Sequence, residues 1–510
     1  MHWADKIAQE LIASGKYKPY WVDDMKTPSG FAHIGSMLGP VIHSAIYRAL
    51  KDTGQEAILT YVINDFDPAD EFPDILKKSL EGHQGEALKM IPSPDSGFDN
   101  LADFLADDLK KSIEYLGFEA KYISSWDLYH QGKFDEVIKL ALDNSEKIQE
   151  IYQKVSGSAK KEAGWLPFQV ICEKCGKLGT TKVFAWDGEK VSYKCEPDLV
   201  DWAKGCGHEG KISPFGGTGK LPWKVDWAAH WKVIGVTIEG AGKDHASAGG
   251  SYDIAMAICK EVFKYPEPFK IPYEFILIGG KKMSSSKGVG LKAHDLVKIL
   301  PAEVARFLFV SSDIGSQSNF DPIGTMAIPD LFDEYDKAWE TKSRSFVLSQ
   351  ITDVSGKVFS APRFRDIANY LSQGLSEDEV TEKFKDGDAK VIIERIKYAK
   401  VWLENYAPAD YRFEMTDKIP QSAKNLSSEQ KEYLKKVAKL FEKEVEADSL
   451  QVELYNLSKE LKINPKDAFT AIYLAFIDKT HGPRAGLLLT NFGKEKVIGR
   501  ITSIMKEGDK

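Results

Sequence analysis

Hydrophobic and polar positions in the first sixty residues alternate between strand-like and helix-like patterns. Residues 18–24 (KPYWVDD) and 57–63 (AILTYVI) are predicted to form two buried strands. The helix predicted between them is capped by Ser36, and its apolar residues recur with a 3.6-residue period: Met37, Leu38, Val41, Ile42, Ala45 and Ile46. This strand–helix–strand order predicts an α/β fold with a parallel sheet and right-handed crossovers.

The same alternation returns late in the chain. Strands are predicted at 231–238 and 274–278, with a helix from about 251 to 263 between them. A sheet that begins before residue 65 and resumes after 230 is a split sheet. The interrupting material combines helical segments around 100–155 with a cysteine-bearing stretch at 165–220.

Beyond about residue 330 the strand signal fades and helical periodicity takes over. Ile392, Ile396, Ala399 and Leu403 share one helical face with Asp388 as the predicted cap, and residues 427–444 and 465–479 also have a helical pattern. The predicted organisation is a first half-domain at 1–125, an inserted module at 126–225, a second half-domain at 226–330 and an α-helical region at 331–510.

Composition and charge restrict the class of protein. With 510 residues, 43% hydrophobic and 28% charged, the chain has the composition of an ordinary globular protein of several compact units. No apolar run approaches the ~20 residues that cross a bilayer, and the first twenty residues lack a secretory signal pattern, so we expect a cytoplasmic protein without membrane contact. The net charge of −8 does not favour nucleic-acid binding, but local basic patches rather than the total decide that property.

Two distant segments have the chemistry of a split nucleotide site. Residues 25–36 (MKTPSGFAHIGS) and 279–288 (GGKKMSSSKG) each follow a predicted strand. Glycine lets the backbone approach phosphates, and imidazole, ammonium and helix N-terminal N–H groups all bind their charge. We therefore expect these two segments to lie together in the fold.

Several motifs resemble one enzyme family. TPSGFAHIGS is similar to the HIGH motif of class I aminoacyl-tRNA synthetases, GKDH at 242–245 to their strand-end loop, and KKMSSSKG to their KMSKS loop. With LPWKVDWAAHW, EGAGKDHASAGGS and PKDAFTAIYLAFIDKTHGPRAG, the order resembles class I lysyl-tRNA synthetases from about residue 18 to 505. The resemblance implies a split nucleotide-binding (Rossmann-like) domain, an inserted acceptor-end module and a helical anticodon-binding domain.

The resemblance also implies two reaction steps. Lysine is activated with ATP and Mg²⁺ to lysyl-adenylate, and the lysyl group is then transferred to tRNA(Lys). His33, Lys282, Ser284, Ser286 and Lys287 would be the catalytic residues that stabilise phosphate charge. Ser285 and Ser36 replace a lysine and a histidine of the common motifs, so Lys287 becomes a candidate for the role of the missing lysine.

The expected ATP contacts are the glycine-rich and strand-end positions of the three motifs: Pro28, Gly30, His33, Gly35, Ser36, Gly242, Asp244, Lys282 and Met283. Lysine has two ammonium groups and four methylenes, so its pocket requires carboxylates and aromatic walls. The candidates are acids and aromatic residues near the motifs, together with Thr27: Thr27, Asp65, Asp67, Trp223, Trp227, Glu239, His245 and Tyr273. Any one of these aromatic residues could equally be plain core.

The cysteines indicate a metal rather than disulfides. Four of the five fall within 35 positions, and Cys172, Cys175, Cys195, Cys206 and His208 offer a Cys₄ or Cys₃His structural zinc site.

Two alternatives remain open at this stage. One is a class I synthetase for glutamate, and the other is a catalytically silent tRNA-binding relative. We expect a monomer, and the sequence does not select the residues that would contact the anticodon.

Overall fold

The computed structural model describes residues 1–157, 164–280, 291–352 and 360–507, apart from Arg412, Glu414, Glu442, Glu444 and Val445. These residues form two compact units. The sheet unit consists of Met1–Asp321 and Ala338–Lys357, and the helical unit consists of Pro322–Lys337 and Val358–Lys510.

The sheet unit begins with an alternation of helices and strands. Its first elements are α1 (Trp3–Ser14), β1 (Tyr20–Lys26), α2 (Leu38–Asp52), β2 (Ala57–Ile63), α3 (Asp74–Lys77), α4 (Leu101–Tyr115) and β3 (Lys121–Ser124). The inserted elements follow: α5 (Ser125–His130), α6 (Asp135–Asp143), α7 (Ser145–Ser156), β4 (Gln169–Val170), β5 (Thr181–Trp186), β6 (Val191–Cys195), β7 (Glu209–Ile212), β8 (Gly219–Lys220) and α8 (Trp223–Ile234).

The alternation then resumes. The next elements are β9 (Ile238–Gly242), α9 (Lys243–Ala246), α10 (Ser251–Glu261), β10 (Phe269–Tyr273), β11 (Ile276–Leu277), α11 (Ala293–Ile299), α12 (Ala302–Val310), β12 (Ser318–Asn319), α13 (Ala327–Glu340) and α14 (Arg344–Ser349).

The main sheet has five parallel strands in the order β10-β9-β1-β2-β3. Strand β1 lies in the middle, with β2 on one side and β9 on the other. In such open sheets the crevice outside the carboxyl ends of the strands, where the strand order reverses, is the usual ligand site. The predicted α/β fold with a split parallel sheet is therefore confirmed, and the crevice beside the end of β1 is the place to look for function.

Two strand predictions were wrong. Residues 231–234 end helix α8, because Trp223, Trp227 and Trp231 are spaced four residues apart and Gly235 closes the helix at φ 97°, with its N–H bonded to the Trp231 carbonyl. The strand predicted at 274–278 is not part of the main sheet. The main-sheet strand of this region is β10, which ends at Tyr273, whereas β11 lies within the predicted range and pairs with β12 in a separate two-stranded sheet.

All regular elements of the helical unit within the described residues are helices. After the part of α13 up to Lys337 they are α15 (Phe364–Ser372), α16 (Glu377–Lys383), α17 (Ala389–Asn405), α18 (Gln421–Lys424), α19 (Ser428–Leu440), α20 (Ala447–Glu460), α21 (Pro465–Ile477), α22 (Ala485–Phe492) and α23 (Lys494–Glu507). Asp388 caps α17 as predicted, and its side chain accepts from the N–H groups of Lys390 and Val391. The predicted all-helical C-terminal region is thus confirmed.

Across the described residues, no helix combines the length and apolarity that a membrane span needs.

Candidate active site

The segment that carries His33 lies against residues 291–293, which closely follow the Lys-Met-Ser motif in sequence. The Ile34 N–H donates to the Leu291 carbonyl at 3.0 Å, and the Ala293 N–H donates to the Ala32 carbonyl at 2.8 Å. These bonds form an antiparallel bridge between His33 and Lys292. The chain around the first motif and the chain just after the second are therefore neighbours. The candidate residues Lys282, Met283, Ser284, Ser286 and Lys287 lie outside the described residues.

Ser36 does not cap helix α2, contrary to prediction. A 3₁₀ turn, Ile34–Met37, precedes the helix, so Ser36 lies inside that turn and Met37 takes the cap position without a side-chain bond. The Ser36 hydroxyl oxygen is buried and makes no hydrogen bond within the described part of the chain. Pro28 and Gly30 are buried in the preceding loop.

A cavity of about 650 Å³ opens beside the carboxyl ends of β1, β9 and β10. It is lined by most of the residues expected to bind lysine, together with several others from the same strand ends, loops and α8. Those that the argument below uses are Asp24, Lys26, Thr27, Asp67, Lys220, Trp223, Asp226, Trp227, Glu239, Gly242, His245 and Tyr273. The strand-end loop with Gly242 therefore contributes to the cavity, with Asp244 in the first turn of α9.

One wall of the cavity is aromatic. The rings of Trp223 and Trp227 stack at 5.9 Å between centroids, and the His245 ring meets them edge-on at 5.4 and 6.0 Å. Trp223 is 45% exposed, which marks it as a cavity wall rather than core, whereas Trp227 is 8% exposed. A wall of this kind can cover methylene groups and can also attract a cation.

Glu239 is a buried carboxylate held by two indoles. Its Oε1 accepts from Trp227 Nε1 at 2.9 Å, and its Oε2 accepts from Trp231 Nε1. Burial, reinforced by nearby Asp23, holds the pKa of Glu239 well above its ordinary value. Within the described residues no lysine or arginine forms an ion pair with it, so no internal cation favours its ionised form, whereas a bound cation would.

Asp24 is a second buried carboxylate in the cavity. Its nearest ring partner is His43, whose Nδ1 lies 3.5 Å from Asp24 Oδ2. His43 is neutral, because its Nε2 accepts the Gly240 N–H at 2.7 Å and its Nδ1–H donates to the Gly39 carbonyl at 2.7 Å. Burial raises the pKa of Asp24 above its ordinary value.

Gly39 allows helix α2 to approach this carboxylate. A Cβ at position 39 would lie 2.7 Å from Asp24 Oδ2 and 3.0 Å from the Tyr273 hydroxyl. Any larger residue would displace a wall of the cavity.

The two acids at the other end of the cavity share one internal cation, Lys220. Lys220 is 1% exposed, and its Nζ donates to Asp67 Oδ1 at 2.5 Å and to Asn64 Oδ1 at 2.6 Å, and lies 3.0 Å from Asp226 Oδ2. Burial alone would lower the pKa of Lys220, but the two carboxylates raise it above its ordinary value. Thr27 joins this network through a 2.5 Å bond from its hydroxyl to Asp67 Oδ2.

Asp65 does not face the cavity. Its Oδ1 accepts the Trp126 N–H at 2.7 Å and its Oδ2 accepts the Ser124 hydroxyl at 2.7 Å. The carboxylate therefore secures the end of β3 and the start of α5, which removes it from the expected lysine contacts.

Four cysteines converge in the inserted module. The Sγ atoms of Cys172, Cys175, Cys195 and Cys206 all lie within 4.8 Å of one another, with 3.6 Å between Cys172 and Cys206 and 3.7 Å between Cys175 and Cys195. Tetrahedral zinc with Zn–S bonds of about 2.3 Å separates its sulfurs by about 3.8 Å, so the donor set suits that ion. His208 is not in the group; its carbonyl accepts the Cys195 N–H at 2.8 Å.

A family model described as tRNA synthetases class I (K) matches residues 1–351. This chain is a class I tRNA synthetase. A second model, described as anticodon binding domain, matches residues 366–505 of the synthetase. The resemblance inferred from the sequence motifs is thereby confirmed.

Relatives cover the synthetase almost end to end. It is 34% identical to a lysine–tRNA ligase of Archaeoglobus fulgidus over 99% of this chain and 100% of that one. It is 35% identical to a lysine–tRNA ligase of Methanocaldococcus jannaschii over 98% of this chain and 99% of that one. Among solved structures, a glutamate tRNA ligase of Elizabethkingia meningosepticum matches 96% of this chain and 99% of that one at 10% identity, with a TM-score of 0.42. Nothing further is concluded from that structural match.

Sequence reasoning missed four cavity residues of the synthetase. Asp24 and Lys26 stand in β1, Lys220 stands just before the LPWKVDW segment and Asp226 within it. Burial lowers the pKa of Lys26, and nearby Asp24 opposes that shift. The acids at the end of a predicted buried strand were the available signal for Asp24.

Proposed function

We propose that this synthetase is a lysine–tRNA ligase, which activates lysine with ATP and transfers it to tRNA(Lys). The observation that carries the proposal is the buried acid Glu239, which lines the cavity, accepts only two indole N–H groups and forms no ion pair with a lysine or arginine among the described residues. A substrate with an extra ammonium group supplies the missing positive charge. The lysine–tRNA ligases that match the chain over their full length support the same substrate.

The cavity residues divide between the parts of lysine. Asp24 and Glu239 attract its ammonium groups, while Trp223, Trp227, His245 and Tyr273 cover the methylenes. Thr27 closes the edge through its bond to Asp67. Lys26 is the cation best placed to attract the substrate carboxylate.

In the activation step a carboxylate oxygen of lysine attacks the α-phosphorus of ATP and the bond to pyrophosphate breaks. No proton moves in this step, so the protein acts by positioning and by stabilising charge. His33 and the N–H groups of the 3₁₀ turn after it would face the α-phosphate. Lys282, Lys287, Ser284 and Ser286 would hold the β- and γ-phosphates, and Gly242 and Asp244 the nucleoside. Mg²⁺ would be held mainly by the phosphates and would mask their charge.

We assign zinc to the four cysteines, as a structural ion without an open coordination position. Because these residues lie on β6 and on the loops around β4 and β7, zinc would tie these segments of the inserted module together. Dialysis against a strong chelator should release one zinc per chain. A protein that folds and retains activity without any bound metal would contradict this assignment.

We assign tRNA binding to two regions. Residues 126–225 would contact the acceptor end, and residues 331–510 the anticodon. Within the helical unit, an open depression of about 600 Å³ combines stacking surfaces with amide groups, and its lining includes Tyr411, Phe413, Tyr473, Gln373, Gln451 and Arg484. Unpaired bases are generally held by this combination of side chains. Tyr473→Ala should weaken tRNA charging while lysine activation is kept.

The direct test is ATP–pyrophosphate exchange with lysine and glutamate in parallel. We expect lysine-dependent exchange, and its loss by about 10²-fold or more in His33→Ala if His33 contacts the transition state. Exchange with glutamate instead of lysine would show a different specificity. No exchange at all from folded protein that binds tRNA would indicate a silent relative.

We also infer a cytoplasmic monomer. Light scattering of the purified chain should give a mass near 57.0 kDa.

A further inference from the structure

Helix α4 carries an acid that touches both motif-bearing segments. Asp108 Oδ2 accepts the Ala32 N–H at 3.0 Å, next to His33. Its Oδ1 accepts from His294 Nδ1 at 3.1 Å, at the start of α11. One carboxylate therefore binds the segment before the 3₁₀ turn and the segment after the Lys-Met-Ser motif.

The rest of α4 strengthens this connection. The Tyr115 hydroxyl, at the other end of α4, donates to the Leu300 carbonyl at 2.8 Å, just after α11. Helix α11 is thus fastened to α4 at both ends, and the helix α4 itself is capped by the Asn100 side chain. The Asp108 side chain is only 16% exposed, so water competes weakly for its two bonds.

The backbone bridge between His33 and Lys292 adds two bonds to the same junction. It fixes the two segments to each other, but not to the sheet unit around them. Asp108 supplies that third attachment, because α4 packs within the unit that also contains β1 and β2.

We propose that Asp108 is a positioning residue for lysine activation, which sets the position of His33 relative to α11, the helix that follows the Lys-Met-Ser residues in sequence. The inference depends on the proposed function, since those residues are assigned to ATP there. It assigns no contact with substrate to Asp108. Activation by positioning is sensitive to displacements of about 1 Å, which can cost about 10²-fold in rate.

The test uses Asp108→Asn in the full-length protein. Asparagine has the same shape, but only one of its two terminal atoms accepts a hydrogen bond, so one attachment is lost. We expect ATP binding to weaken, with a rise of about 10- to 100-fold in the KM for ATP. The KM for lysine should change by less than about threefold, because the cavity is formed by other residues.

Asp107→Asn is the matched control. Asp107 is the preceding residue of the same helix, and its carboxylate pairs with Lys111 at 2.7 Å on an exposed face. His294→Ala should reproduce the effect of Asp108→Asn, and the double variant should be no worse than the more severe single one.

A structural role and a positioning role give different results. Transfer of lysine to tRNA from preformed lysyl-adenylate needs no ATP, so it should be retained in Asp108→Asn, whereas a misfolded variant would lose both steps. Equal losses in Asp107→Asn and Asp108→Asn, or an Asp108→Asn variant with unchanged ATP kinetics, would overturn the proposal.

Direct binding of ATP separates this proposal from the proposed function. If the wild-type protein shows no lysine-dependent exchange, the assigned substrate is wrong. The affinity of wild type and Asp108→Asn for ATP, measured by calorimetry, still decides the role of Asp108: equal affinities then refute it, and a weakened variant supports it.

Discussion

Glu239 in the sheet unit and Asp336 in the helical unit are both carboxylates removed from water, with 2% and 6% exposure, yet their surroundings differ. The guanidinium of Arg395 donates two hydrogen bonds to the Asp336 carboxylate, one of them from Nη1 to Oδ2 at 2.8 Å. Arg395 also donates to the Pro362 carbonyl at 2.5 Å. Glu239 receives two indole N–H groups and no cation among the described residues.

This difference distinguishes a carboxylate that stabilises the fold from one that we propose to bind a substrate. A buried ion pair balanced inside the protein holds elements together, and removal of one partner leaves an expensive uncompensated charge. A buried carboxylate that only neutral donors satisfy keeps its attraction for a cation from outside. Arg395 therefore has a structural role, whereas Glu239 is the acid that we propose to bind the ammonium group of the substrate.

The largest expected effect concerns the balanced pair. Arg395→Met should destabilise the helical unit by about 3–5 kcal/mol, because Asp336 stays buried without its partner. Hydrogen exchange followed by mass spectrometry would locate the loss in residues 360–507. Lysine-dependent exchange, which depends on the sheet unit, should persist; a stable variant would show that the pair contributes little.

A change at Glu239 should affect substrate binding more than stability. Glu239→Gln keeps the size of the side chain but removes its charge, so lysine binding should weaken by about 2–4 kcal/mol, or roughly 30- to 1,000-fold in KM for lysine. The KM for ATP should stay nearly constant. Asp70→Asn, at an exposed position of the same cavity, is the control and should have little effect.

The pH dependence of stability sharpens the comparison further. Asp23 precedes Asp24 on β1. Burial raises the pKa of Asp23 to about 8, compared with about 3.9 in an unfolded chain. The folded protein therefore binds more protons between these values, and the stability of the ligand-free protein falls as pH rises from about 4 to 8.

Asp23→Asn should remove this fall in stability with rising pH, because asparagine has no ionisable group. The variant should be more stable than wild type at pH 8.5, by about 1 kcal/mol or more, and the difference should disappear near pH 4. Urea unfolding across this pH range measures it. A constant difference at all pH values would mean that Asp23 is ionised in the folded protein.

The smallest effect is expected for an exposed pair in the helical unit. Arg363 is 61% exposed and pairs with Asp333 at 2.7 Å. Arg363→Met should cost about 0.2–1 kcal/mol, and less at high salt. Asp333 retains Arg365 as a second partner. A loss as large as that of Arg395→Met would contradict the distinction between buried and exposed pairs.

The sequence predicted those features that depend on local patterns. Strands β1 and β2, helix α2 and the Asp388 cap follow from hydrophobic period and capping chemistry over a few residues. The strand predicted at 231–238 was wrong because residues 231–234 are the end of helix α8. A short apolar run fits a buried strand or a buried helix, and only the four-residue spacing of Trp223, Trp227 and Trp231 indicates the helix that Gly235 ends. Strand β3 was missed because it is four residues long and only partly buried.

The pairing of side chains could not be predicted, because it is decided by the tertiary fold. Lys220 meets Asp67 across 153 positions of sequence, whereas Glu239 has no lysine or arginine ion-pair partner among the described residues. Likewise, the choice between Cys206 and His208 needed the positions of the sulfur atoms. The candidate list was therefore mostly right about which stretches form the cavity, but it could not rank the acids within it.

The burial of Lys220 also limits how this protein can evolve. Its ammonium group lies between Asp67 and Asp226, so a neutral residue at position 220 would leave two neighbouring carboxylates without their cation. Descendants of this sequence should therefore retain all three residues or exchange them together, and the compensated set should recur as a correlated triplet among its homologues.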